Sequence, residues 1–196
     1  MKTILFIDGR NFIDKINSTL NPNGEEDIDF SIYNFKGLID KVLTKINIDR
    51  KIFYFGKLIK HPKTIKKSEE LIEKQRKLKT HLEEQGFEVI LAGRVRGHIE
   101  KCVKGHETLT FREKGVDVRI AVDMITLACD EGLRTAIIGS SDSDLQPAIK
   151  ELRKRKIERI YLGFENNPNK GLTFTTNRTI LIRNSEVAEF IDKTLI

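Results

Sequence analysis

Short apolar runs alternate with amphipathic stretches along the whole chain. "TILFID" (3–8) is apolar at nearly every position, which suits a strand covered on both faces. Phe12, Ile13, Ile16 and Leu20 then recur at helical spacing. "NPNGEED" (21–27) reads as a loop, and a helix is predicted over about 31–46, with Phe35, Leu38, Ile39, Val42 and Ile46 on one side. "KIFYFG" (51–56) is a second strand, and a long charged helix over about 64–85 finds its stop at Gly86. "FEVILAG" (87–93) is a third strand, residues 94–113 read as a hairpin, and a helix is predicted over 115–130. "RTAIIGS" (134–140) and "IERIYLG" (157–163) are further strands, separated by a helix over about 145–155. Residues 164–178, rich in Asn, Gly and Thr, read as a loop. "TILIR" (179–183) and a short helix capped by Asn184 or Ser185 close the pattern.

This alternation predicts an α/β fold, a Rossmann-like parallel sheet flanked by helices on both faces, with an inserted β-hairpin at about 94–113. No repeat or linker divides the 196 residues, so one domain spanning 1–196 is expected. No apolar run approaches the ~18 residues of a membrane span. The N-terminal apolar stretch ends at Asp8, too short for a signal peptide, so a cytoplasmic protein with Cys102 and Cys129 as free thiols is expected. His98, Cys102 and His106 stand four apart, but they lack a fourth ligand and a Cys-x-x-Cys knuckle, which argues against zinc.

A formal charge of +6 favours an anionic partner. The charge is concentrated in "RVRGHIEKCVKGHETLTFREKG", where Arg94, Arg96, Lys101, Lys104, Arg112 and Lys114 face only three acids. That stretch is a candidate phosphate-contacting surface, and a solvated hairpin is the plainer alternative.

Ligands of such sheets sit outside the carboxyl ends of the strands, so strand-end residues carry the chemistry. The first strand ends in Asp8, with Gly9 allowing a sharp turn and Asn11 competing with Asp8 to cap the next helix. The fourth ends in Ser140-Ser141-Asp142-Ser143-Asp144, and Pro147 forces the following helix to begin between Asp142 and Gln146. Ser143 with Gln146, or Asp144 alone, would cap that helix. Neither choice accounts for two neighbouring like charges, which repel unless a cation or water intervenes. Asp117 lies on the apolar stripe of its helix with Ile120, Ala121, Met124 and Ala128, where a carboxylate is costly without a partner. Asp123 falls on the polar stripe, four residues after Arg119, and is ranked lower. Oxygen donors without imidazole or sulfur suit Mg²⁺ or Mn²⁺.

"FIDGRN", "EKGVDVRIAVDMITLA" and "IGSSDSDLQPAI", in this order, resemble the NYN domain family, and most closely its LabA-like branch within the PIN-like nuclease fold. The resemblance implies a metal-dependent endoribonuclease using Mg²⁺ or Mn²⁺ on RNA. Carried over by position, Asp8, Asn11, Asp117, Asp142 and Asp144 would form the catalytic set. Asp8, Asp117 and Asp142 would hold the metal, and Asp123 and Ser140 would be secondary. Arg10, Arg94, Arg96 and Lys114 would contact RNA. Two departures stand out: many members read "SGDSD" where this chain has "SSDSD", and Lys57 stands where some PIN-like enzymes carry a further acid. A member that binds RNA without cutting it is the alternative. A homodimer is also compatible with the sequence. Toprim-type sites need a first-strand glutamate, haloacid-dehalogenase-type sites need an acid where Arg10 stands, and no G-x-G-x-x-G follows a strand.

Overall fold

The computed structural model describes residues 1–24, 28–60, 65–101, 107–130 and 132–191. Within the hairpin, side chains are described only at 94, 95 and 110–114. The hairpin turn, and with it Cys102 and His106 of the zinc question, lies outside the described residues.

Among the described residues seven strands form one sheet: β1 (Lys2–Asp8), β2 (Arg50–Leu58), β3 (Glu88–Lys101), β4 (Glu107–Lys114), β5 (Leu133–Gly139), β6 (Glu158–Phe164) and β7 (Arg178–Ile182). Their order is β4-β3-β2-β1-β5-β6-β7, and every neighbouring pair is parallel except β3 with β4. β1 is central, so the order reverses between it and β5. The carboxyl ends of these two strands open the crevice where α/β sheets bind ligands.

The helices are α1 (Gly9–Leu20), α2 (Phe35–Val42), α3 (Ile65–Glu84), α4 (Val116–Asp130), α5 (Gln146–Lys154), α6 (Lys170–Thr175) and α7 (Asn184–Glu189). They divide between the two faces of the sheet. Leu5 and Ile7 of β1 join Phe12, Ile16, Phe35, Leu38, Phe53 and Val187 in one core. Ile4 and Phe6 point the other way, into a core with Tyr54, Ile120, Met124, Ile138, Ile149 and Leu152. Side chains alternate along a strand, so a strand with no polar position must be buried on both faces, as the composition of "TILFI" requires.

Four expectations change. The strand predicted at 87–93 and the first arm of the hairpin are one continuous strand, β3, which pairs with β2 through its first half and with β4 through its second. The strand passes a tight point at Gly93, whose φ of +65° and contact with the Lys114 carbonyl leave no room for a Cβ, and its parallel pairing with β2 runs on to Val95. The helix predicted over 31–46 is a 3-10 turn at Phe30–Ile32 followed by α2, because Asn34 caps the new start by accepting from the Gly37 N–H at 2.7 Å. The loop predicted over 164–178 contains α6, capped by Asn169. The last helix is capped at Arg183, whose N–H donates to the Glu186 side chain, rather than at Asn184 or Ser185.

The Ile7 side chain is fully buried at the middle of the sheet, so Ile7→Ala should cost about 2–5 kcal/mol, the range for truncating a core aliphatic. Chemical denaturation at constant m-value measures this loss.

Candidate active site

Asp8 ends β1 and caps α1, its Oδ1 accepting from the Asn11 N–H at 3.1 Å. Asn11 therefore does not cap. Its side chain crosses the crevice, where Oδ1 accepts from both the Ser141 N–H (3.0 Å) and the Ser141 hydroxyl (2.9 Å). From the other side the Asn169 amide donates to the Ser141 carbonyl at 2.8 Å. Ser141 is thus clamped between the first helix and the start of α6, and with it the loop that carries Asp142.

Asp142 caps a 3-10 turn over Ser143–Leu145, accepting from the Asp144 N–H at 2.8 Å. Its own N–H donates to the buried Ser140 hydroxyl at 3.1 Å. Neither cap anticipated for this turn, Ser143 with Gln146 or Asp144 alone, is used, and α5 starts without a side-chain cap. Pro147 stands in the first turn of α5, where its missing N–H costs nothing.

The charges of two other acids reach Asp8. Burial pushes the Asp8 carboxyl above its ordinary range; the Asn11 N–H pulls it back, and the negative charges of Asp142 and Asp117 raise it again. Asp117 lies in the first turn of α4, half-buried as its helical phase implied. Asp144 is exposed, and its backbone serves Asp142.

Asp123 stands about 9 Å further along α4 than Asp117, at 1.5 Å per residue. It pairs with Arg119 at 2.8 Å, as its spacing suggested, but its side chain is only 18% exposed rather than solvated. Its charge falls on Tyr54, whose hydroxyl is pushed up first by burial and then by Asp123. Asp123 is therefore a support behind the sheet.

Sequence reasoning missed Glu113. It lies on β4 opposite Val95, and its chain presses over Gly56 at the end of β2, where a Cβ on Gly56 would stand 2.6 Å from Glu113 Cγ. The residue is exposed overall, yet the setting of its carboxyl group pushes it up to about 7. Burial is the largest cause, followed by the charge of Asp8, while the Gly56 N–H pulls it down and Asp117 raises it again. The only sequence signal was a glycine at a strand end where a bulky residue would otherwise stand.

The basic residues surround rather than enter this cluster. Arg10 is exposed and paired with Asp14 at 2.8 Å, though its charge reaches Glu113. Arg94 and Lys114 are exposed and directly opposite on the ladder, as Arg96 is opposite Arg112 along the backbone. Cations facing each other across strands are unfavourable unless an anion or solvent separates them.

The sequence of residues 2–183 matches the family model for the NYN domain. The chain belongs to the NYN domain family. Its fold is therefore that of PIN-like nucleases, and the family binds RNA. Among solved structures it is similar to a Vibrio parahaemolyticus RIMD 2210633 protein of unknown function. The two share 18% identity and superpose with a TM-score of 0.58 over 92% of this chain and 93% of the other, a likeness of fold alone. No curated protein matches the sequence. No helix among the described residues of this NYN domain is long and apolar enough to cross a membrane.

Among the described residues no three His, Cys, Asp or Glu side chains stand together as a ready metal cage. The donor chemistry nevertheless fits a hard divalent cation. Mg²⁺ in particular is usually held by one or two carboxylates, with water and substrate phosphate completing its shell. Repelling carboxylates at the mouth of a crevice are the arrangement such an ion relieves.

Glu113 holds its extra proton in the native state between its ordinary value of 4.5 and about 7. Without added metal, stability should therefore fall as pH rises through that window. Glu113→Gln should leave Tm near that of the parent at pH 4.5 and raise it at pH 8. For a solvent-screened group the gain is on the order of 1 kcal/mol, or about 2–4 °C. Thermal melts in chelator at the two pH values measure it.

Proposed function

We propose that this NYN domain is a metal-dependent endoribonuclease that hydrolyses RNA phosphodiester bonds, a member of the LabA-like branch. The observation that carries the reading is the placement of Asp8 at the end of β1, Asp142 just after β5 and Asp117 in the first turn of α4, near enough for the charges of the latter two to reach Asp8. Asp8, Asp117 and Asp142 would hold Mg²⁺ or Mn²⁺. Such an ion supplies charge to polarise the phosphate and to make water nucleophilic at neutral pH.

The chain's own residues supply position. Asn11, by holding Ser141, sets where the Asp142 loop ends. The backbone N–H groups of Asn11 and Asp144 each hold one carboxylate oxygen, of Asp8 and Asp142 respectively, and so orient the two groups. Asp144 sits at the exposed lip, beside any strand that enters. Glu113 adds a fourth acid whose proton can leave as positive charge arrives. Arg94, Arg96 and Lys114 give the hairpin its grip on the phosphate backbone, a term that weakens with salt.

Incubation of the protein with labelled RNA and Mn²⁺ should give internal cleavage that chelator abolishes. Asp8→Asn and Asp142→Asn should each lower the rate at least a hundredfold while leaving the melting temperature within a few degrees. Equal cleavage by these variants would mark a contaminating nuclease. RNA binding with no product under any divalent ion would instead identify a binding module that keeps the fold.

Asn11→Ala separates positioning from ligation. It should lower the rate about tenfold or more, and raise the Mn²⁺ concentration needed for half-maximal activity, by releasing Ser141. Asn11→Asp, which cannot accept from both Ser141 groups without adding a charge to the cluster, should not rescue it.

A further inference from the structure

A groove of about 870 Å³ opens beside the carboxylate cluster, between α1, α3, the 3-10 turn at Phe30–Ile32 and the hairpin. Arg10, Gly56 and Glu113 line it, and the charges of Asp8 and Asp117 reach Glu113, so the groove ends beside the cluster. Its walls carry half-buried apolar side chains, among them Phe111 and, packed on their other sides against the core, Phe30 and Leu78. Lys74 and Lys77, one helical turn apart on α3, stand exposed along it.

The groove is held open by a specific contact. The Gln75 side chain donates to the Gly56 carbonyl at 2.8 Å and accepts from the Leu58 N–H at 3.4 Å, which anchors α3 to the end of β2. Gly56 thus ties the wall of the groove to Glu113 of the cluster through its carbonyl and its N–H. The lysines act inside the groove. Asp29, held below the ordinary carboxylate range mainly by the Ser31 hydroxyl and N–H, is lowered further by Lys77 and Lys74.

We propose that this groove takes an unpaired polynucleotide strand, with bases against Phe111, Phe30 and Leu78 and phosphates beside Lys77 and Lys74, and leads it to the carboxylates. This rests on the nucleolytic reading above for what happens at the carboxylates, and not for the binding itself. Aromatic and aliphatic surface interleaved with cations is the pattern that binds splayed bases and their backbone together. A duplex keeps its bases stacked inward and offers this surface nothing to cover it.

The test is fluorescence anisotropy in chelator, so that cleavage plays no part. The probes are a short labelled RNA strand, the DNA strand of the same sequence, and the RNA duplex. The parent protein should bind the RNA strand more tightly than the duplex. Binding of the DNA strand equal to RNA would indicate backbone and base-face recognition; weaker DNA binding would indicate contact with the 2′-hydroxyl. Both agree with the proposal. Lys77→Glu should weaken strand binding at least tenfold and Lys77→Arg should restore it, which a misfolded variant would not do. Phe111→Ala should weaken it about five- to hundredfold, the range for one base–aromatic stack. Lys150→Glu, the same charge reversal at an exposed position on α5 away from the groove, should have under a threefold effect. Preference for the duplex, no strand binding, or strand binding unmoved by both Lys77→Glu and Phe111→Ala overturns the proposal. Groove-dependent binding without cleavage under Mn²⁺ supports it while removing the nucleolytic reading.

Discussion

The charges of Asp142 and Asp117 bear on Asp8, and those of Asp8 and Asp117 on Glu113, so the carboxyl edge of the sheet holds acids near each other in spite of their repulsion. Two unit charges about 4 Å apart near a protein surface repel by roughly 4 kcal/mol. One neutral hydrogen bond returns only about 1 kcal/mol net. No single clamp, the paired contacts of Asn11 on Ser141 included, could therefore keep such a cluster assembled. The two cores do it, because β1 and β5 are buried on both faces and cannot shift to let their ends move apart. Stability made at the centre of the sheet is partly used up at its edge, and that is where binding of an ion or a polyanion can return it.

How much of this was legible in the sequence depends on whether the information was local. Asp8 and Asp142 were readable because an apolar run followed by a turn places an acid at a strand end without further knowledge. Asp117 was readable because helical phase alone puts it on the apolar side of α4. Glu113 was not readable. Its neighbours in sequence, Arg112 and Lys114, made it one acid in a basic stretch, and only the register of β4 against Val95 carries it over Gly56. Asp123 shows the reverse error. Its stripe suggested solvent, but Tyr54 and Arg119 enclose it from another strand and from its own helix. α6 escaped because six residues are too few to show a period, although Asn169 three residues before Leu172 is an ordinary capping spacing.

The hairpin joins what the sequence presented as separate matters. Its basic content pointed to an anion, and its glycines to a turn. In the fold, the two ends of the excursion meet where Gly93 and Gly115, both at positive φ, pass close to each other. The chain that returns through this point delivers Glu113 to the cluster, Phe111 to the groove and Asp117 to the first turn of α4. A side chain at Gly93 would collide with the Lys114 carbonyl at 2.2 Å and displace all three together. One backbone crossing therefore couples the carboxylate edge, the groove and the cationic ladder.

Helix capping and metal chemistry are not exclusive demands on the aspartates of "SSDSD". An ionised carboxylate has two oxygens and about four acceptor positions, so accepting one backbone N–H does not use it up. Asp8 and Asp142 each cap a helical turn through Oδ1. The cap limits rotation of the carboxylate. It also favours the charged form, opposing the burial that raises Asp8. A capping acid at the end of a buried strand thus keeps acceptor positions to spare while its rotation is limited. Capping and chemistry do not exclude each other at this motif, and what separates it from an ordinary capped turn is that the charges of Asp142 and Asp117 both reach Asp8.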